Sequence, residues 1–305
     1  MLSNLQVFKL IVEKDDPVTL SHFLMKKGFS RRAVNNCKNR GGMMLVNHHR
    51  RTSNYHLKEG DVVHFVMGQE KVNPYLKVSR IPIQVVEETD DYIVINKPAG
   101  LLSIPSGFHS EDAVINRVLG YFEEKGEDPA YIKPHIVTRL DQDTSGLVLL
   151  GKTAIAHDRF NKLGKELFIK KYHAIVHGNF GEGEMTRLID KPLARVGDTV
   201  KRQVDPRGQK ALTEYRVVDQ VPGASLVELR LLTGRTHQIR VHMQSIGHVL
   251  YGDDLYGAED AFHRQALNCF YLAFPNPFTG EERELRIPDP SDMQDLWREL
   301  KANSI

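Results

Sequence analysis

Residues 138–153, TRLDQDTSGLVLLGKT, join a polar, charged loop to an apolar run that predicts a buried strand. Binding and catalytic side chains are often carried on loops that a rigid strand positions. In this loop Asp141 lies between Arg139 and the hydroxyl residues Thr144 and Ser145, a setting that would keep a carboxylate ionised and oriented. The pattern predicts a functional aspartate, with an ordinary Asx-type turn before a strand as the plainer interpretation.

Short apolar or alternating segments on both sides of this stretch predict further strands. Residues 153–167 and 236–247 have helical spacing instead. Because the strands outnumber the helices and follow one another directly, we expect an α+β domain on a mixed, mostly antiparallel sheet rather than a doubly wound parallel one. The predicted strands lie in IQVVEE, YIVIN, GLVLL, KYHAIVHG, LTEYRVVD and SLVELRLL.

The start of the chain predicts a small ααββ unit. A helix through LSHFLMKKG with Thr19 as its cap and a helix through RRAVNNCKN capped by Ser30 precede two strands, MLVN and DVVHFVM. Residues 68–82 contain glycine and proline without a strong period and are predicted to be a linker. We therefore expect one domain in residues 1–75 and a larger one in residues 76–305.

Charge is unevenly distributed along the chain. Of 41 basic and 39 acidic residues, 12 basic and 6 acidic ones lie in residues 1–75, so this segment carries +6 and the remainder −4. Eight basic residues from Lys26 to Arg51 are not interrupted by an acid. Such a run can be a solvated face, but its length favours phosphate binding, and Arg31 and Arg32 open the second predicted helix within it.

Composition argues against several other classes of protein. The apolar fraction of 41% and the charged fraction of 26% are ordinary for a globular chain, and no stretch approaches the 18 or so apolar residues of a membrane span. The N-terminus lacks the pattern of a cleaved leader, so we expect a cytoplasmic protein. Cys37 and Cys269 are far apart and lack a CxxC partner, which predicts neither a disulfide framework nor a thiolate zinc site.

The six fixed letters of RLDxxTSG, at residues 139–146, resemble the central motif of the RluA-type pseudouridine synthases. VINKPAGLL at 94–102, KKYHAIVHG at 170–178 and LLTGRTHQIRVHMQSIGHVLYGD at 231–253 are similar to further segments of that family, in the same order. The resemblance covers residues 83–290. Thr138 departs from the family pattern, in which many members carry His, and this affects a local loop contact rather than the chemistry.

The resemblance implies an RNA pseudouridine synthase with Asp141 as its catalytic aspartate, Tyr172 as its active-site tyrosine and Arg240 as the basic residue that pairs with the aspartate. Isomerising a uridine breaks N1–C1′, rotates the base and forms C5–C1′ without a redox change. Asp141 could act as nucleophile or remove a ribose proton to give a glycal, and the sequence leaves both routes open. No cofactor is expected. Residues predicted to bind the substrate are Arg139, Thr144, Lys97, Arg235 and His237, with Arg31 and Arg32 of the first domain.

Residues 15–67 resemble the S4 RNA-binding domain through Ser30-Arg31, Val46-Asn47 and Gly60-Asp61. This resemblance implies a module that lays its basic second helix on structured RNA and reads shape and phosphates. The combination of both domains points to the branch that modifies large-subunit ribosomal RNA, with transfer RNA as the alternative substrate.

The segment after residue 234 predicts a helix with Thr236, Arg240 and Gln244 on one face, so that Arg240 can point into a site, although a solvated helix arginine is the plainer interpretation. His237 and His242 lie about 140° apart on such a helix, unlike a pair of metal ligands at i and i+4. We therefore expect no metal site.

Two other functions fit parts of the sequence. A hydrolase would need two carboxylates on opposite sides of the scissile bond, whereas Asp141 and Asp143 are two residues apart in one loop. Asp143 fits ordinary turn chemistry better than catalysis. A non-catalytic RNA-binding or assembly factor would need only the basic first domain. Nothing in the sequence points away from a monomer.

Overall fold

The structure, a computed structural model, describes residues 6–70, 73, 75–106, 111–181 and 186–303. Three residues of the predicted linker, Lys71, Val72 and Pro74, lie outside this set. The strands are β1 (Val7–Ile11), β2 (Met43–Val46), β3 (His49–Arg50), β4 (Val62–Val66), β5 (Gln84–Glu88), β6 (Tyr92–Lys97), β7 (His135–Ile136), β8 (Ser145–Gly151), β9 (Ile169–His177), β10 (Arg187–Asp190), β11 (Leu193–Arg195), β12 (Arg202–Val204), β13 (Leu212–Val221), β14 (Ala224–Leu231), β15 (Leu267–Pro275) and β16 (Glu282–Arg286). The α-helices are α1 (Leu20–Lys26), α2 (Arg31–Asn39), α3 (Val114–Glu124), α4 (Ala154–Lys162), α5 (Gln238–Gln244) and α6 (Ser291–Ala302).

The predicted α+β architecture is confirmed, because the strands follow one another with few helices between them and pair mostly antiparallel. Every strand predicted from the apolar segments forms. The sequence patterns do not predict the strands β1, β3, β7, β10 to β12, β15 and β16, nor the helices α3 and α6. Within the described ranges, no helix combines the length and the apolar character needed to cross a bilayer.

The chain divides into two compact units. The first comprises Met1–Val94, Ile104–Thr138 and Leu149–Leu163, and the second comprises Ile95–Ser103, Arg139–Val148 and Gly164–Ile305. Each unit is thus assembled from separate stretches of chain. A boundary between domains near residue 75 stays a prediction.

In the first unit, β1, β4, β2 and β3 form an antiparallel sheet in that order. A core that includes Phe23, Phe29 and Phe65 is buried with it. The cap predicted for α2 is confirmed, because the backbone N–H of Ala33 donates to Ser30 Oγ at 3.1 Å. Thr19 occupies the predicted N-cap position of α1, but its hydroxyl accepts no backbone N–H of the helix and lies 2.6 Å from a ring nitrogen of His22.

In the second unit, the strands run in the order β10, β13, β14, β9, β15 and β8, and β16 lies beside β15. The pairs are antiparallel except for β15 with β8, which are parallel. β15 is buried along almost its whole length, as expected of a central strand covered on both faces. The start of β8 is therefore held at the centre of the second unit, and the loop before it carries Asp141.

Candidate active site

A cavity of about 100 Å³ opens where the aspartate loop meets β9 and α5. β9 contributes Lys170 and Tyr172, which share one face of the strand because side chains alternate along it. Among the described residues that line the cavity, Asp141 is the only acid, whereas four are cations. The lining consists of Arg139, Leu140, Asp141, Thr144, Lys170, Tyr172, Leu231, Gly234, Arg235, Thr236, His237, Gln238, Ile239, Arg240 and Leu267.

The aspartate loop is fixed on both sides of Asp141. The backbone N–H of Thr144 donates to the carbonyl of Asp141 at 3.2 Å and closes a tight turn. Before Asp141, the Ser103 hydroxyl donates to the carbonyl of Leu140 at 3.0 Å, and the Leu140 side chain is buried. Because its neighbours are held by packing and hydrogen bonds, the carboxylate has a defined position.

Lys97 holds the same loop and is not among the residues that line the cavity within the described chain. Its side chain is fully buried, and Nζ donates to the carbonyls of Pro98 at 2.9 Å, Leu101 at 2.8 Å and Gln142 at 2.7 Å. A buried ammonium needs such acceptors, because an unsatisfied charge away from water is costly. The prediction that Lys97 binds the substrate is therefore wrong. Its charge instead fixes the residue after Asp141.

The hydroxyls of Thr144 and Ser145 form hydrogen bonds with residues other than Asp141, the residue that they are predicted to orient. Gln265 Nε2 donates to Thr144 Oγ1 at 3.2 Å, and the Ser145 hydroxyl donates to Asn268 Oδ1 at 2.9 Å. Both side chains are buried. The prediction that these hydroxyls orient the carboxylate is wrong, although Thr144 does line the cavity. The two hydroxyls join the start of β8 to the chain around β15.

Gly146 makes that junction possible. Its φ of +119° lies in a region that residues other than glycine rarely adopt. A Cβ at this position would lie 2.3 Å from the carbonyl oxygen of Cys269. Without a Cβ, Gly146 pairs in parallel with Cys269, and Ser145 pairs with Asn268. The glycine of the RLDxxTSG motif therefore sets how closely β8 approaches β15.

Arg240 is bound most closely by a carboxylate other than Asp141. Its Nε and Nη2 each donate to Asp253 at 2.7 Å, in a bidentate pair that is buried on both sides. Its Nη1 lies 4.0 Å from Asp141 Oδ2, so the predicted pairing with Asp141 is present as a longer contact. Burial works against the charge, but the hydrogen bonds and charge of Asp253, with the charge of Asp141, raise the pKa of Arg240. Arg240 is therefore a fixed cation beside the aspartate.

α5 begins later than predicted. It starts at Gln238, and His237 before it has a left-handed φ of +55°. Thr236 therefore lies outside the helix and does not share a helical face with Arg240, which corrects that prediction. Because His237 also lies outside the helix, the predicted angle of about 140° between His237 and His242 around a helix does not apply. His242 is fully buried and hydrogen-bonds a threonine hydroxyl and a backbone carbonyl.

His237 lies in the cavity wall with one ring nitrogen engaged. Its Nδ1 is 2.9 Å from the hydroxyl of Tyr256, and the same hydroxyl accepts the backbone N–H of Arg202 at 2.9 Å. The contact between Nδ1 and the phenol therefore fixes the orientation of the imidazole ring in the cavity wall. Burial lowers the pKa of His237, although the charge of Asp141 opposes this. His237 is thus a ring of fixed orientation that is neutral at pH 7.

Tyr172 is almost fully buried on β9 and lines the cavity. Burial, the neighbouring sulfur of Cys269 and the charge of Asp141 raise the pKa of its phenol well above the usual value. The hydroxyl is therefore protonated at neutral pH, and Tyr172 offers an aromatic surface and a hydrogen-bond donor.

Arg139 and Arg235, both predicted to bind the substrate, lie at the cavity. Nη2 of Arg139 donates to the hydroxyl of Thr236 at 3.4 Å, and Nε of Arg235 donates to the carbonyl of Lys210 at 3.0 Å. Because these partners are neutral, both guanidiniums keep their full charge for an anion. Arg31 and Arg32 belong to the first unit, where they are exposed at the start of α2.

Asp253, Tyr256 and Lys170 belong to this site but are not singled out by the sequence motifs. Asp253 is the last residue of segment 231–253, which resembles the pseudouridine synthase family. Its spacing of 13 residues from Arg240 does not indicate that the two side chains form an ion pair. Lys170 could have been found, because it is two residues before Tyr172 on a predicted strand and must share its face.

Comparisons with known proteins agree with this geometry. A family model described as RNA pseudouridylate synthase matches residues 91–245, about half of the chain. "Uncharacterized RNA pseudouridine synthase YjbO" of Bacillus subtilis (strain 168) is 36% identical over 282 residues, which cover 92% of this chain and 98% of the relative. "Ribosomal large subunit pseudouridine synthase D" of Zymomonas mobilis is 38% identical over 241 residues, covering 73% of this chain and 74% of the relative. The solved structure of human RNA pseudouridylate synthase domain containing 4 has a TM-score of 0.58 at 22% identity, covers 72% of this chain and 93% of its own, and shows the same fold.

Proposed function

Because the chain belongs to the RNA pseudouridylate synthase family, we propose that it converts uridines of large-subunit ribosomal RNA to pseudouridine, with Asp141 as the essential catalytic residue. The observation that carries the proposal is the position of Asp141: it is the only acid among the described residues of the cavity, with the fixed Arg240 guanidinium 4.0 Å away. The choice of RNA rests on relatives such as the Zymomonas mobilis protein, which is named for the large ribosomal subunit.

The reaction requires one group that can act on the ribose or base while the base turns. Asp141 can add as a nucleophile, or it can accept a ribose proton so that a glycal forms. In either case N1–C1′ breaks, the base rotates, C5–C1′ forms and the proton on C5 leaves. A uridine must also leave its stack to reach a carboxylate in a cavity, and Arg139 at the entrance suits a neighbouring phosphate or the vacated place in the stack.

Tyr172 and Arg240 have supporting parts in this proposal. The ring of Tyr172 packs against uracil, and its neutral hydroxyl donates a hydrogen bond. Because the Tyr172 phenol is protonated at rest, it must first give up its own proton before it can accept the proton from C5. If it does not, Asp141 or water must accept the C5 proton. Arg240 keeps Asp141 beside a positive charge, which favours the carboxylate form.

A glycosidase-type hydrolase is disfavoured because Asp141 is the only acid among the described residues that line the cavity. Asp143 is not among the described residues that line the cavity, and its carbonyl accepts a hydrogen bond from Arg264 at 3.3 Å. Asp253 is the acid nearest to Arg240, but it is buried and paired with that arginine. Hydrolysis would need a general acid and a second carboxylate on opposite sides of the bond.

The decisive experiment uses in vitro transcribed large-subunit ribosomal RNA labelled with tritium at C5 of uridine. The wild type should release tritium without releasing free uracil, and Asp141→Asn should abolish release while RNA affinity is kept. Asp143→Asn is the matched control and should remain active. Retained conversion by Asp141→Asn, or liberation of uracil by the wild type, would show that the proposal is wrong. Labelled transfer RNA transcripts, assayed in parallel, separate the two RNA classes.

We propose further that residues 1–75, which belong to the first unit, form an S4-like RNA-binding domain that acts through α2. Lys26 and Lys27 of its basic stretch are paired with acids, chiefly Asp16 at 2.9 and 3.0 Å. Arg31 and Arg32 are exposed and open the helix. Replacing both with Gln should weaken RNA binding across sequences and lower its salt slope by about 0.7 per lost phosphate contact on single strands. An unchanged slope would remove this helix from the RNA interface.

A further inference from the structure

A second cleft, of about 500 Å³, adjoins the cavity of Asp141. The two share four lining residues, Arg139, Gly234, Arg235 and Thr236. The remaining wall comes largely from β11, β12 and the turn after β12. Within the described chain no acid lines the cleft, and its charged lining residues are Arg139, Lys165, Arg195, Arg202, Arg207 and Arg235.

The arginines of this cleft are held mainly by neutral oxygens. Arg195 donates to two carbonyls, those of Thr199 at 2.7 Å and Asp198 at 2.9 Å. Arg202 donates through Nη1 to the carbonyls of Val200 and Lys201, each at 3.2 Å. A carbonyl orients a guanidinium without cancelling its charge, so these side chains are positioned but not neutralised. Their remaining N–H groups are suited to phosphate oxygens.

Arg207 differs from the other arginines. Its carboxylate partner is Asp205, two residues earlier, at 3.4 Å, and its side chain is 92% exposed. Exposed ion pairs at such distances contribute little to stability. A phosphate can therefore replace Asp205 as the partner of Arg207 at small cost.

The wall that carries Arg195, Arg202 and Arg207 is fixed by backbone contacts. Leu193 and Gln209 exchange two backbone hydrogen bonds, of 2.9 and 2.8 Å. A Cβ at Gly208 would lie 2.4 Å from the carbonyl carbon of Leu193, so this turn can pack closely only with glycine. A site whose cations are held in place before binding loses less entropy when a ligand arrives.

We propose that this cleft binds phosphates of the RNA strand next to the target uridine. The proposal rests on the proposed function, because it takes the uridine to be the occupant of the Asp141 cavity. A nucleotide flipped into that cavity leaves its neighbouring phosphates at the entrance, where Arg139 and Arg235 belong to both sites. From there the strand follows the cleft towards Arg195 and Arg207, with specificity left to RNA shape.

The test measures binding without turnover. A short synthetic stem-loop RNA with a loop uridine is titrated with protein by fluorescence anisotropy at several salt concentrations. The variants are Arg195→Gln/Arg207→Gln and Arg207→Gln alone. The control, Arg298→Gln/Lys301→Gln on α6, removes the same net charge elsewhere in the second unit. The double variant should lower the salt slope by about 1.4 to 1.8, the single variant by about half of that, and the control by much less.

Three outcomes would overturn the proposal. The first is an unchanged salt slope of RNA binding in both cleft variants, and the second is a fall of the salt slope in the control variant as large as that in the double variant. The third is a poly-glutamate peptide that competes with the labelled RNA as strongly as unlabelled RNA does. Circular dichroism checks that the double variant is folded, and the exposed position of Arg207 makes the single variant a second safeguard. Because the binding measurement needs no turnover, it can still be interpreted if the tritium assay shows that the protein is not an isomerase. Conversely, if the cleft variants bind RNA like the wild type, the result of the Asp141 assay is unaffected.

Discussion

Arg240 and Asp253 form a buried bidentate ion pair with both N–O distances at 2.7 Å, whereas the nearest contact of Arg240 with Asp141 is 4.0 Å. The Arg240 guanidinium thus has two acidic neighbours, Asp253 and Asp141, with different roles. Asp253 occupies the two N–H groups that fix its orientation, and Nη1 remains directed to Asp141. This division lets Asp141 engage a substrate without leaving Arg240 unpaired in the protein.

Asp253→Asn should therefore damage both stability and activity. Removing one charge of a buried pair leaves the other uncompensated, which typically costs about 3 to 5 kcal/mol of unfolding free energy. We expect a loss in this range by urea denaturation, with a matching fall in the rate of tritium release. Asp254→Asn, at the exposed next position, is the control and should change either quantity little. If Asp253→Asn retained full stability and activity, Arg240 would not depend on Asp253 for its position.

The pH dependence of the reaction should carry no signature of Tyr172. Burial, Cys269 and the charge of Asp141 raise the pKa of its phenol well above the usual value, so the neutral form persists through the range in which a rate can be measured. The single-turnover rate of the wild type should show no rise between about pH 7 and pH 9 from ionisation of this phenol. The measurement is tritium release against pH, with Tyr172→Phe as the comparison. A rise in the wild type that is missing from Tyr172→Phe would mean that the phenol is easily ionised and acts as a base.

The sequence was sufficient for the local parts of this site. The segments that carry Asp141, Tyr172 and Arg240 were each recognised, and the strands β8 and β9 formed where alternation and apolar runs predicted them. Periodicity within a segment decides such features. The predicted roles of these three residues stay predictions, and the structure adds that all three line one cavity.

Partner choice could not be predicted, because it is decided by tertiary contacts. The sequence offered Asp141 as the partner of Arg240, and only the fold brings Asp253 closer. Lys97 is predicted to bind the substrate, whereas its burial among three carbonyls depends on how two loops meet. Similarly, the start of α5 was set too early because the left-handed backbone at His237 is not visible in the letters.

The glycine of the central motif can be tested against another glycine of positive φ. Gly146 has a φ of +119° and the Cys269 backbone 2.3 Å from a built Cβ, whereas Gly100 has a φ of +80° with no heavy atom within 4 Å of such a Cβ. Gly100→Ala should cost about 1 to 2 kcal/mol, the price of a left-handed backbone for an alanine. Gly146→Ala must in addition push β8 away from β15, so we expect a loss above about 4 kcal/mol and an inactive protein. Urea unfolding and tritium release measure both variants, and similar small losses in the two would show that β8 and β15 tolerate a wider spacing than Gly146 imposes.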